Sequence, residues 1–225
     1  MAIGQCSAVV GYKRYLDNVA GLTEGKRLVS SGMTQETERV REALRLAKEG
    51  ESVALISSGD AGVYGMSGLA IELAQEDGVD LPIEIIPGVT AASAAGARLG
   101  APLMLDYATI SLSDLLVPWE AIRKRLEAVA EADMVTALYN PKSKKRVEQL
   151  EEAAEIFRKH RPGETPVGVC TSVGYDGEER IVVTDLARFT AEDIGMMTIV
   201  IIGSSESKNI GGWFVTPRGY RGKRF

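Results

Sequence analysis

The sequence predicts an α/β protein of two domains, the first built on a mainly parallel sheet and the second on a mixed sheet. In the first half, short apolar runs alternate with helical patterns, as expected for strands joined by crossover helices. In the second half, Val167–Thr171 and Arg180–Thr184 follow each other too closely for a crossover helix, which favours antiparallel pairing. The pattern changes after Gly100–Pro102, so we expect domains at 1–102 and 103–225.

The elements of the first domain follow from its apolar patterns. Thr34 is placed to cap a helix, because the apolar residues after it share one helical face and Gly50 follows the last turn. The expected elements, in chain order, are strands Ala8–Val10 and Arg27–Val29, the helix after Thr34, strand Val53–Ile56, a helix through Ile71 and Leu73, and strand Ile83–Ile86.

The second domain shows more β-prone runs and two amphipathic helices. Ser143 is placed to cap the second of these helices, whose apolar residues Val147, Leu150 and Phe157 share a face. Taken alone, Met197–Ile202 is expected to be a core strand. The other expected elements are strands Tyr107–Leu112, Met134–Tyr139, Val167–Thr171 and Arg180–Thr184 and the helix Pro118–Ala130.

The stretch Ser52–Gly68 contains the predicted strand Val53–Ile56, a glycine-rich turn and a helix start, and the turn has two interpretations. Glycine recurs there at every third position, which allows close packing of backbone on backbone without any ligand. The turn also stands at the carboxyl end of a strand, where open α/β sheets bind ligands.

The residues of this turn favour one class of ligand over another. Asp60 places a negative charge where the pyrophosphate of NAD would meet the helix N-terminus, and Ile83–Ile86 ends in Pro87–Gly88 instead of an acidic residue for a ribose. An acidic turn suits a ligand with a positive centre and hydroxyl groups. S-adenosylmethionine has both, whereas an NAD-linked enzyme is disfavoured.

The run Gly88–Pro102 consists almost entirely of small residues. Tight packing of a helix on a sheet explains such a run without a ligand. Thr90 and Ala91 stand at the expected helix start, however, where a hydroxyl and free N–H groups would be presented beside the glycine turn. Both interpretations remain open for these two residues.

Charge and composition exclude several other classes of protein. The net charge is −5 and the chain has one local basic cluster, Lys142, Lys144, Lys145 and Arg146, which we interpret as a solvated helix start, so no nucleic-acid partner is expected. His160 is the only histidine, which argues against a Ser-His-Asp triad and a His-rich metal site. No metal is expected.

The sequence also suggests where the protein works. Cys6 and Cys170 are far apart and form no C-x-x-C pattern, so reduced thiols are expected. The start lacks the pattern of a signal peptide, and no apolar run is long enough to span a bilayer. We therefore expect a cytoplasmic protein without a membrane partner.

Six segments together resemble the tetrapyrrole methylases: SSGDAGVYGM, PGVTAASAAGARLGAPL, DYATISLSDLLVPW, LYNPKSKKR, MMTIVIIGSS and WFVTPRGY. The resemblance implies two α/β domains with an active-site trough between them and S-adenosylmethionine as cofactor. It further implies methyl transfer to C-17 of a precorrin-3B or cobalt-precorrin-3 macrocycle, with ring contraction, in cobalamin biosynthesis. A homodimer is also expected, supported by apolar residues such as Trp213 and Phe214.

The resemblance assigns roles to particular residues. Those expected to contact the cofactor are Ser58, Gly59, Asp60, Val63, Thr90, Ala91, Tyr139, Asn140 and Thr198. Ring contraction requires proton transfer, for which Asp114 is the candidate, with Ser111 and Ser113 as hydrogen-bonding neighbours. The alternative for Asp114 is a helix cap.

The resemblance fails at the beginning of the sequence. Family members usually open with a strand, a G-x-G-P-G-D loop and a helix before the segment equivalent to Ala8–Tyr12, whereas Met1 stands near the end of that helix. We therefore expect Met1 to be an internal start of a longer natural protein. The alternative function is a catalytically silent protein that binds cofactor or tetrapyrrole without turnover.

Overall fold

The chain forms two compact units. The computed structural model describes residues 2–32 and 34–220, and the units are Met1–Thr90 and Ala91–Phe225, called the first and second unit below. The division precedes the helix Ala91–Leu99 (α5), which the sequence-based boundary assigned to the first domain. The helix belongs to the second unit because Ala92, Ala95 and Leu99 pack with strand residues of that unit.

The first unit is built on a three-stranded parallel sheet, which confirms the predicted sheet type. Its strands are Ala8–Tyr12 (β1), Arg27–Ser31 (β2) and Val53–Leu55 (β3), and its helices are Ala2–Gln5 (α1), Lys13–Asn18 (α2), Glu36–Lys48 (α3) and Ser67–Glu76 (α4), with a 3-10 turn at Ala20–Leu22. The strand order is β2-β1-β3, and the side chains of β1 are buried from Ala8 to Val10. Helix α3 packs against α4 through Val40 and Leu44.

Two local predictions for this unit were wrong. Helix α3 begins at Glu36 with Gln35 at the N-cap, whereas Thr34 has a left-handed backbone, φ 64°, that an N-cap does not take. The segment Ile83–Ile86 is irregular because it joins no sheet within the described residues, and its three isoleucines remain 43–48% exposed. A strand requires a partner as well as β-prone residues.

The second unit contains the predicted mixed sheet. Its strands are Gly100–Ala101 (β4), Tyr107–Ser111 (β5), Val135–Tyr139 (β6), Pro166–Thr171 (β7), Arg180–Asp185 (β8), Thr198–Ile202 (β9), Lys208–Ile210 (β10) and Trp213–Val215 (β11); the remaining elements are helices α5, Trp119–Glu131 (α6) and Glu148–Arg158 (α7) and a 3-10 turn at Phe189–Ala191. The main sheet has the order β5-β6-β9-β7-β8, and a smaller sheet has the order β10-β11-β4. In the main sheet β5 and β6 pair in parallel, and the other neighbouring strands are antiparallel.

Both faces of this five-stranded sheet are covered. Leu138 of β6 and Val200 of β9 pack with α6 and α7, whereas Ala137 and Ile201 pack with α5. Successive residues of a strand point to opposite faces, so one apolar strand supplies both cores. The continuous apolar character of Thr198–Ile202 follows from this double coverage.

Helix α7 begins later than predicted. Its first residue is Glu148 and its N-cap is Val147, so Ser143 is not the cap. Ser143 instead closes a turn: its Oγ accepts from the Arg146 backbone N at 3.1 Å, and its backbone N donates to the Arg146 carbonyl at 3.0 Å. The basic cluster is therefore a loop ahead of the helix rather than its first turn.

Candidate functional site

The turn after β3 presents the predicted residues Ser58, Gly59, Asp60 and Val63 at the carboxyl end of the first unit's sheet. Gly59 has φ 71°, a conformation that favours glycine. Ser58 and Gly59 are exposed, whereas Asp60 and Val63 are half-buried. The structure therefore brings these four residues together on one turn, with backbone and hydroxyl groups open to a ligand.

The Asp60 carboxylate ties this turn to a second loop of the same unit. Its Oδ2 accepts from the Gly88 backbone N at 2.8 Å, and its Oδ1 accepts from the Gly62 backbone N at 2.8 Å. The pKa of Asp60 is lowered by these hydrogen bonds, that of Gly88 making the largest contribution. The backbone N–H of Val63 also lowers this pKa, whereas desolvation raises it. The side chain is ionised at neutral pH and fixes two loops.

The glycines of this region serve different purposes. A methyl group on Gly88 would lie 2.0 Å from the Gly59 carbonyl oxygen, and one on Gly65 would lie 2.4 Å from the Ala61 carbonyl oxygen. A methyl group on Gly68 would have no atom within 4 Å. The regular spacing seen in the sequence therefore combines positions where backbone contacts backbone with one that has open space.

In the second unit, the Tyr139 side chain contacts the start of α5, whose first residue is Ala91. The Ala92 backbone N donates to the Tyr139 hydroxyl at 2.9 Å. This bond satisfies one of the N–H groups that a helix start leaves unpaired. Thr90, the last residue of the first unit, is half-buried.

Asn140 follows β6 with a left-handed backbone, φ 48°. Its side-chain Nδ2 donates to Ser111 Oγ at 3.0 Å, and its carbonyl accepts from Arg146 Nη2 at 2.6 Å. Asparagine tolerates this backbone conformation better than most residues. The amide is thus held at the carboxyl end of the parallel pair β5 and β6.

Thr198 is the first residue of β9 and is buried. Its Oγ1 lies 2.9 Å from Thr171 Oγ1 and accepts from the Gly195 backbone N at 3.1 Å. The antiparallel register pairs Leu138 with Val200, so continuing it sets Asn140 opposite Thr198. Tyr139, Asn140 and Thr198 therefore lie at the same end of the neighbouring strands β6 and β9.

Asp114 lies in the loop after β5, at the same end of the sheet. It is exposed, and its Oδ2 accepts from Gln149 Nε2 of α7 at 2.9 Å. It does not cap α6, whose N-cap is Pro118. The neighbouring Ser113 backbone N donates to Ser111 Oγ at 3.2 Å.

The sequence interpretation overlooked Arg146. It was grouped with solvated charges, but only 9% of its surface is exposed. It is the only arginine of this basic cluster, but neither its residue type nor its spacing shows that it is buried. Its burial and its contact with the Asn140 carbonyl are visible only in the folded loop.

The two cysteines are further groups with possible chemistry. Burial raises the pKa of the Cys170 thiol to about 12, with Glu179 adding to the effect, so this thiol is protonated at neutral pH. Cys6 and Cys170 are both free. In residues 2–32 and 34–220, no group of three or more His, Cys, Asp or Glu side chains could hold a metal ion. None of the helices described there is long and apolar enough to cross a bilayer.

Comparisons with known proteins identify the class of this fold. The family model of the Tetrapyrrole (Corrin/Porphyrin) Methylases matches residues 1–190. A crystal structure of the methyltransferase CobJ is similar with a TM-score of 0.90 and 35% identity, covering 96% of this chain and 90% of that one. The fold is therefore that of a methyltransferase.

Curated relatives agree with this class. The chain is 46% identical to the cobalt-factor III methyltransferase of Priestia megaterium over 99% of its own length, and spans 42% of that relative's length. It is 44% identical to the probable cobalt-factor III C(17)-methyltransferase of Salmonella typhimurium, covering 97% of this chain and 90% of that one. The chain belongs to the tetrapyrrole methylase family.

A more distant structure shares the fold. The uroporphyrin-III C-methyl transferase of Thermus thermophilus, complexed with S-adenyl homocysteine, has a TM-score of 0.68 at 21% identity, covering 90% of this chain and 87% of that one.

Proposed function

We propose that this protein transfers a methyl group from S-adenosylmethionine to C-17 of a precorrin-3B or cobalt-precorrin-3 macrocycle, with ring contraction, in cobalamin biosynthesis. The observation that carries the proposal is the 44% identity to the probable cobalt-factor III C(17)-methyltransferase of Salmonella typhimurium, over nearly all of both chains. Cobalt, where present, belongs to the substrate.

The cofactor supplies an electrophilic methyl group on a sulfonium centre, so the protein needs no strong nucleophile of its own. Its contribution is to hold and orient the two reactants. The proposed cofactor contacts in the first unit are Ser58, Gly59, Asp60, Val63 and Thr90, and those in the second unit are Ala91, Tyr139, Asn140 and Thr198.

The chemistry of these residues fits such a cofactor. The Asp60 carboxylate is ionised and has lone pairs beyond the two that Gly62 and Gly88 use, so it can face a cation or a ribose hydroxyl. The Asn140 amide carries both donors and an acceptor for polar groups of the cofactor.

Ring contraction also requires proton transfer, and we assign this role to Asp114. The side chain is exposed and anchored through one oxygen by Gln149, which orients the carboxylate. Ser111 and Ser113 provide further hydrogen-bonding groups nearby. The backbone N of Ser113 already donates to Ser111 Oγ, which holds the two residues together.

A direct test uses the purified protein with S-adenosylmethionine and cobalt-factor III, followed by mass spectrometry of the tetrapyrrole. We expect the gain of one methyl group and, by calorimetry, S-adenosylhomocysteine binding at least about tenfold tighter than NAD, or ~1.4 kcal/mol. Binding of S-adenosylhomocysteine or of the tetrapyrrole, without the gain of a methyl group, would favour the catalytically silent binding protein. Equal affinity for NAD would contradict the assignment.

We also propose a cytoplasmic homodimer. The exposed cross-strand pair Ile210 and Trp213 supports an interface, at 54% and 58% exposure. Phe214 gives no support because it is buried in its own unit. The two free cysteines suit a reducing compartment. Sedimentation at micromolar concentration and cell fractionation test these two points.

A further inference from the structure

Arg146 is a buried cation whose hydrogen-bonding capacity is incompletely used. Its Nη2 donates to the Asn140 carbonyl, whereas its Nε is enclosed and has no partner among residues 2–32 and 34–220. The turn closed by Ser143 fixes its backbone. A guanidinium in such a position is held in place by the protein but not satisfied by it.

The charge of Arg146 is not neutralised either. In the described part of the chain, no carboxylate lies within ion-pair distance of it. The second buried arginine, Arg161, also has an Nε without a hydrogen-bond partner, but this Nε lies 3.2 Å from Asp133 Oδ1 in an ion pair, and its Nη2 donates to the Met134 carbonyl at 2.8 Å. A buried charge is unfavourable without a counter-charge. The enclosed Nε is out of reach of an arriving anion, but Nη1 is not enclosed and makes no hydrogen bond within the described residues, so it is the atom that can receive one.

The surroundings of Arg146 extend this cationic character. The same loop carries Lys142, which is half-buried, and the exposed Lys144 and Lys145. Glu148 begins α7 next to this loop and is exposed. The cations therefore outnumber the acidic groups between Asn140 and α7.

Two exposed leucines lie in the loop after β5, at the same end of the sheet as the Arg146 loop. Leu115 and Leu116 follow Asp114 and are 75% and 91% exposed. Their loop is linked to the Arg146 loop because Ser111 Oγ accepts from Asn140 Nδ2, and to α7 through Gln149. Exposed leucines beside buried and exposed cations match a ligand with an apolar ring and peripheral carboxylates.

We infer that Arg146 is the centre of an anion subsite that binds a peripheral carboxylate of the tetrapyrrole, with Lys142, Lys144 and Lys145 as its cationic rim and Leu115 and Leu116 beside the ring. The inference rests on the proposed function for the class of substrate. The neighbouring Asn140 couples the subsite to the proposed cofactor contacts through its carbonyl.

The test compares Arg146→Gln with Arg125→Gln, an exposed position on α6 that gives the same change in net charge. Binding is measured by fluorescence titration with uroporphyrin, which has a carboxylate on every peripheral side chain, and with etioporphyrin, whose peripheral side chains are all uncharged alkyl groups. We expect Arg146→Gln to weaken uroporphyrin binding at least about tenfold, the size of a charged hydrogen bond, and to leave etioporphyrin binding unchanged.

Further measurements keep the result interpretable. Circular dichroism checks folding. If Arg146→Gln unfolds, Arg146→Lys is used, which retains the charge and is expected to keep the preference for uroporphyrin over etioporphyrin. Wild-type affinity for uroporphyrin in folded Arg146→Gln, loss of that preference in Arg146→Lys, or an equal loss in Arg125→Gln would overturn the inference. Arg146-dependent uroporphyrin binding without methyl transfer to cobalt-factor III would instead overturn the proposed function alone.

Discussion

The Asp60 turn of the first unit and the Arg146 loop of the second unit differ in how they hydrogen-bond a charged side chain. Each holds one charged side chain at the carboxyl end of a parallel strand pair. Both oxygens of Asp60 accept backbone N–H groups, so the charge is satisfied by its own unit. Among the residues that the structure describes, the Arg146 side chain makes one hydrogen bond and keeps an unpaired Nε. The first arrangement builds a rigid backbone surface, and the second reserves a charge for a ligand.

The largest expected effect comes from replacing Gly88 by alanine. The added methyl group would meet the Gly59 carbonyl oxygen at 2.0 Å, so the two loops must separate. We expect the free energy of unfolding to fall by about 1–3 kcal/mol and S-adenosylhomocysteine binding to be lost, as measured by denaturant unfolding and calorimetry. Gly68→Ala is the matched control, because its methyl group meets open space within α4. Equal behaviour of the two variants would show that the loops are not in close contact.

A smaller effect is expected from Asp60→Asn. The pKa of Asp60 is lowered, so its carboxylate stabilises the folded state fully above the ordinary aspartate pKa of about 4, and this stabilisation is lost as the pH falls through the lower folded value. The variant should melt below the wild type at pH 7, and the difference should shrink on acidification below pH ~4. Thermal melts across this range measure it. A difference independent of pH would contradict the role of the charge.

The two units can also be compared through the reactivity of their cysteines. This experiment uses the unmutated protein, so no change in stability is involved. Burial raises the pKa of Cys170 to about 12, whereas Cys6 is half-buried in the first unit. Iodoacetamide at pH 8 should therefore modify Cys6 and spare Cys170 until denaturant is added, because the thiolate is the reactive form. Peptide mass spectrometry gives the extent at each site. Rapid labelling of Cys170 in the native protein would mean that the second unit opens readily.

Much of the fold was predictable because it depends on local patterns. The close spacing of Val167–Thr171 and Arg180–Thr184 gave the antiparallel pair β7 and β8, and the apolar run of β9 predicted a core strand. The failure at Ile83–Ile86 has a different origin: strand formation depends on a partner, and residue preferences alone do not supply one.

The candidate site was less accessible to sequence reasoning. The Asp60 side chain binds a backbone N 28 residues away, and the Tyr139 hydroxyl meets an N–H 47 residues away. Neither contact follows from composition or periodicity, and the burial of Arg146 among exposed lysines depends on a turn that only the folded loop defines. The role of Asp114 and all nine cofactor assignments stay predictions; the nine residues are Ser58, Gly59, Asp60, Val63, Thr90, Ala91, Tyr139, Asn140 and Thr198.

The position of β9 has a consequence for how the second unit folds. It is the last of the five strands in sequence, yet it pairs with both β6 and β7 in the middle of the sheet. The earlier strands therefore lack their central partner until Thr198–Ile202 has been synthesised. Until then β6 and β7 each present an unpaired apolar edge, which makes the nascent chain a substrate for chaperones and prone to aggregation. Closure of the sheet then depends on contacts distant in sequence, and such contacts make folding slow.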